Sequence, residues 1–152
     1  MSAAKRTVLI AAALVAAVYG MVRVDLVLRA RSAYLEGEKW EEWNRRPELK
    51  KAHFDAELSA REAELSRDLA AGRLEKPAYE RKLGLARFER DQAVAESSLK
   101  YAFVWYQTAA ELFSPPENSW SLKARAKLAP TRELWKKELD AQKIPYQDYM
   151  LE

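Results

Sequence analysis

His53 and Glu57 come nearest, by residue type and spacing, to a chemical constellation in this chain. An imidazole and a carboxylate at i and i+4 share one helix face and supply half of a metal site. A carboxylate-bridged pair needs a repeated Glu-x-x-His, and no second histidine exists to provide it. There is also no cysteine, which excludes thiolate zinc, Fe–S clusters, covalent c-type haem and disulfides within this chain. The remaining ligand role for His53 is contact with a haem or chlorophyll in a larger assembly. Against that stands the ordinary role of a lone helical histidine, a surface or hydrogen-bonded residue.

Ser97-Ser98-Leu99-Lys100 has the Ser-x-x-Lys spacing of penicillin-binding enzymes, but the partner motifs are missing. The surrounding pattern places it in mid-helix. No glycine-rich phosphate loop, no Gly-x-Ser-x-Gly and no histidine base for a serine is present. The carboxylates are spread among arginines at helical spacing, as on a solvated face. The expectation is a protein that is not an enzyme and needs no cofactor or metal of its own.

The element that must position everything else is Thr7 to Val22, sixteen residues without a charge. Extended to Leu28 it gives about 33 Å of helix, enough to cross a bilayer. Arg23 can snorkel and Asp25 can pair with Arg29. Ala12, Ala16 and Gly20 recur every four residues and form a small-residue face for another membrane helix. Lys5 and Arg6 resemble the basic region of a cleaved signal peptide, the competing reading. The basic residues before the span favour a cytoplasmic N-terminus and a periplasmic bulk, while Arg23, Arg29, Arg31 and Lys39 pull the other way.

Beyond the span, only four glycines and six prolines occur among mixed charges, with a net charge of +3. That balance argues against nucleic acid as a partner. The pattern predicts an all-α, single-pass protein in three parts: a transmembrane signal anchor over 1–28, a juxtamembrane helix plus coiled-coil-like hairpin over 29–113, and short Pro-punctuated helices over 114–152. Leu26, Ala30, Ala33, Gly37, Trp40 and Asn44 make a seam on the juxtamembrane helix, which should run to about Arg46. A second helix should cover Glu48 to Ala71, with Gly72 at the turn. A third, the longest, should run unbroken from Pro77 to Phe113, with Leu85, Phe88, Gln92, Ala95, Leu99, Ala102 and Tyr106 as its buried seam. After Ser114-Pro115-Pro116, two helices are expected, Trp120 to Leu128, capped by Ser119, and Pro130 to Lys143.

From Tyr101 to Phe113 the third helix is apolar all round, more than one neighbour can cover. The candidate partner-docking residues are therefore Trp40, Trp43, Tyr101, Trp105, Leu112 and Trp120. The basic stretch from Trp120 to Lys137 could touch anionic lipid or an acidic partner, or simply be solvated.

Two stretches, ARSAYLEGEKWEEW at Ala30–Trp43 and SSLKYAFVWYQTAAELFSPPE at Ser97–Glu117, together with the ending IPYQDYMLE, resemble small anchored helical proteins of Gram-negative bacteria. Those proteins accompany membrane-bound c-type cytochromes and respiratory complexes. The resemblance implies an accessory or structural subunit of an inner-membrane electron-transfer complex. Its rivals are a self-associating coiled-coil scaffold and a pigment- or haem-contacting subunit using His53.

Overall fold

The computed structural model describes residues 3–151, and among them every regular element is helical. The first helix, α1 (Ala3–Arg45), runs for 43 residues. It contains no proline, and it stops where Pro47 holds Arg46 outside helical geometry, at φ −132° and ψ 78°. Its N-terminal part is the one helix among the described residues long and apolar enough to cross a membrane. The most apolar 18-residue window has a mean hydropathy of 2.1, and none of it is buried. Arg29 Nε does reach Asp25 at 2.7 Å.

The chain divides into two compact units, Trp40–Ser98 and Met1–Lys39 with Leu99–Glu152. In the first of these, α2 (Pro47–Ala70) packs on α3 (Lys76–Ala95). Proline opens both helices, where its missing N–H costs no hydrogen bond. Gly72, at φ +69°, turns the chain between them and donates to the Leu69 carbonyl at 3.1 Å. Leu65 and Ala86 are buried at the contact. Asp55 pairs with Arg90, Arg61 with Glu89 at 2.8 Å, and Glu62 with Arg87 at 3.1 Å. Arg61 thus takes Glu89 across the contact rather than Glu57 on its own helix.

Three expectations are corrected. The third helix does not run unbroken to Phe113: α3 ends at Ala95, Glu96 turns extended at ψ 145°, and α4 (Ser98–Gln107) starts afresh. Ser97 to Lys100 therefore straddles a helix break instead of lying in mid-helix. With the break, the seam shifts by two residues. Leu85 and Phe88 are 53% and 60% exposed, and the covered positions are Tyr79, Leu83, Ala86, Arg90 and Ala93, with the same alternating spacing. Phe88→Ala should consequently change stability by no more than about 0.5 kcal/mol, as surface substitutions do. Leu99→Ala should lose about 2 kcal/mol or more, since Leu99 is buried. Denaturant unfolding of the two variants checks the pair.

The third correction lies in the other unit. There α4 passes into a π-helical turn, Thr108–Leu112, and the C-terminal region forms one helix, α5 (Ser119–Ala141), in place of two. Pro130 sits inside α5 on an exposed face, while Ala124 before it and Thr131 after it are buried and hold both halves in place. Its cap is Asn118, not Ser119: the Asn118 side chain accepts from the Trp120 and Ser121 amides, and the Asn118 amide in turn donates to Ser121 Oγ, each at 3.0 Å. The final turn, Asp148–Leu151, is a docked arm, with Leu151 buried and Asp148 2.7 Å from Lys136 Nζ.

Candidate docking surfaces

On the part of α1 in the Met1–Lys39 unit, the buried residues beyond the apolar stretch are the small ones, Ala30, Ala33 and Gly37. They let Tyr106 of α4 approach so closely that a Cβ added at Gly37 would lie 2.6 Å from its ring. Tyr106 is fully buried, and its hydroxyl donates to Glu38 Oε1 at 2.7 Å. Lys127 Nζ, from α5, reaches the same oxygen at 2.8 Å. One carboxylate on α1 thereby gathers a phenol from α4 and an ammonium from α5. Tyr34 packs between Tyr106 and Trp120, 5.6 Å from each ring. Phe103 and Trp135 make a second α4–α5 contact at 5.9 Å.

That packing leaves an apolar edge uncovered. Leu112 is 70% exposed and Val104 is exposed beside it, and with Gln107, Thr108 and Glu111 they line a shallow groove. An adjoining cleft of about 410 Å³ is bounded by Phe103, Gln107, Glu111, Arg125, Leu128 and Arg132. Of the sequence-predicted docking residues, Leu112 lies fully on this edge, and Tyr101 and Trp105 are half-buried. Trp120 is half-buried against Tyr34.

Trp40 and Trp43 belong to the other unit and do something different. Trp43 is buried, with Trp40, His53 and Phe54 at 4.7, 5.0 and 5.8 Å from its ring. These four rings tie the end of α1 to the start of α2. His53 lies on the outside of the cluster, its Nε2 3.3 Å from Glu57. Among the described residues no group of three or more His, Asp or Glu is arranged to hold a metal. Ala12, Ala16 and Gly20 lie exposed on α1, and no atom comes within 4 Å of a Cβ built at Gly20.

Lys50 is the structural residue that sequence reasoning passed over. It is buried, its Nζ donating to the Glu96 carbonyl at 2.5 Å and lying 5.4 Å from the Trp40 ring. A cation on the last carbonyls of α3 suits the negative end of the helix. Its only sequence signal is a lysine at an amphipathic boundary, which does not distinguish it from its neighbours.

Hydrogen bonds from Lys51 and Arg90 hold the Asp55 carboxylate below its ordinary range. A lowered value means that this contribution to stability is complete above the ordinary carboxylate range and is lost as pH falls through the lowered value. Thermal unfolding of the wild type should show an acid-side loss that Asp55→Asn lacks. Identical acid limbs in the two proteins would dismiss the effect.

Compared with protein-family models, curated proteins and solved structures, the chain matches none.

Proposed function

We propose that this protein is a non-catalytic, membrane-anchored subunit of a larger bacterial inner-membrane complex. In this reading α1 crosses the bilayer with its N-terminus in the cytoplasm. The helical units then stand in the periplasm, and α2 and α3 form an antiparallel hairpin. The hairpin is supported by the cross-pairings, in which partners on α3 fall in number, Arg90 to Tyr79, as those on α2 rise, Asp55 to Ser66. The resemblance of the aromatic stretches to cytochrome-associated proteins makes an electron-transfer complex the expected assembly.

One observation carries the proposal. The Leu112–Val104 edge stays exposed on a unit whose own core is already filled by Tyr106, Ala109 and Ala110. An apolar edge on a completed core is a natural contact for another subunit. Leu112→Asp should accordingly leave the isolated chain folded, within about 0.5 kcal/mol of wild type. The same change should detach it from its complex, because an anchor residue can carry about 2 kcal/mol or more of binding. Affinity purification through a C-terminal tag in mild detergent reads both. Recovery of the wild type alone, as a monomer, would sink the subunit reading.

Exposed Leu85 and Phe88 favour a second reading, self-association through α3. A concentration-dependent oligomer that Phe88→Glu dissolves would select it.

A further inference from the structure

The level of Trp120 along α1 is set by Arg31, which follows Leu28, the end of the apolar stretch, by about 4.5 Å of helix rise. The Arg31 guanidinium lies 5.8 Å from the centre of the Trp120 ring, and Lys123 Nζ lies 4.5 Å from it. Neighbouring cations are answered by carboxylates: Arg29 by Asp25, Arg125 by Glu117 and Lys127 by Glu38. Arg31 and Lys123 are not. Among the described residues both charged groups lie against the same indole and have no carboxylate within 4.0 Å. Leu122, next to Lys123, is 50% exposed.

We propose that Arg31, Trp120 and Lys123 form a binding site for the headgroup of an anionic phospholipid, in the bilayer that α1 crosses. It rests on the spanning reading of α1. Two uncompensated cations beside one indole match a lipid phosphate with its glycerol-ester region, where tryptophan settles at membrane surfaces. The apolar stretch delivers this group to that depth without any further element. Lys123 and Leu122, on α5, would then lay the start of that helix on the membrane surface and fix how α1 is rotated.

The test uses the full chain in nanodiscs of phosphatidylcholine, with or without phosphatidylglycerol, carrying lipids brominated either near the ester or deep in the chain. Trp120 emission is isolated by subtracting the Trp120→Phe protein. It should be quenched by shallow bromine more than by deep bromine. Arg31→Gln and Lys123→Gln should each reduce the preference for phosphatidylglycerol by about fivefold. Excess inorganic phosphate should leave that preference unchanged, whereas competition by it would mark a free-anion site and overturn the lipid assignment. A chain that resists alkaline extraction while Trp120 stays unquenched also overturns it, and points to an acidic protein segment instead. Extraction of the chain by alkali would refute the spanning reading itself.

Discussion

Tyr106→Ala is expected to lower stability by about 3–5 kcal/mol, the range for losing a buried aromatic side chain. The side chain is fully enclosed, packs on Tyr34 and fills the space that Gly37 leaves open. Truncation empties that space and also removes the phenol donor from Glu38. Tyr106→Phe separates the two effects, because it keeps the ring and deletes only the hydroxyl. It should cost about 1–2 kcal/mol, as for a hydrogen bond to a charged acceptor, and toward the low end because Glu38 is partly solvated. Denaturant unfolding in detergent measures both. A Tyr106→Ala loss below about 1 kcal/mol would mean that α4 does not depend on α1 for its packing.

Trp43→Ala should have a comparable effect, about 3–5 kcal/mol, confined to the Trp40–Ser98 unit. The indole is the centre of the four-ring cluster, so its loss uncovers Phe54 and removes the ring that Trp40 and His53 pack on. Hydrogen exchange should show α2 and α3 opening while α5 keeps its protection. His53→Ala is the control, since that ring lies on the outside of the cluster and its partner Glu57 is exposed. If the two substitutions cost the same, the cluster is a surface ornament rather than a core.

Several of these features were legible in the residues and others were not, for physical reasons. The helical class and the apolar stretch of α1 follow from an uninterrupted charge-free run and scarce breakers. The small seam at Ala30, Ala33 and Gly37 followed from spacing alone. The break at Glu96 could not be read, because neither glycine nor proline marks it. A contributing partner, Lys50, lies 46 residues earlier in the chain. Missing that break moved the expected seam of α3 onto Leu85 and Phe88, two residues away from the covered Leu83 and Ala86. Pro130 misled in the opposite direction: a local breaker was overridden because burial on both sides holds α5 together. Among the docking candidates, sequence identified Trp43 and Leu112 alike as large and apolar. Which one turned inward depended on contacts that no local pattern encodes.

The approach of Gly37 to Tyr106 has a consequence for any related chain. The two positions, 69 apart in sequence, are constrained as a pair: a side chain at the first is compatible only with a smaller ring or an aliphatic group at the second. Diverging relatives should therefore change them together, so that covariation between positions 37 and 106 would mark which distant sequences share this packing.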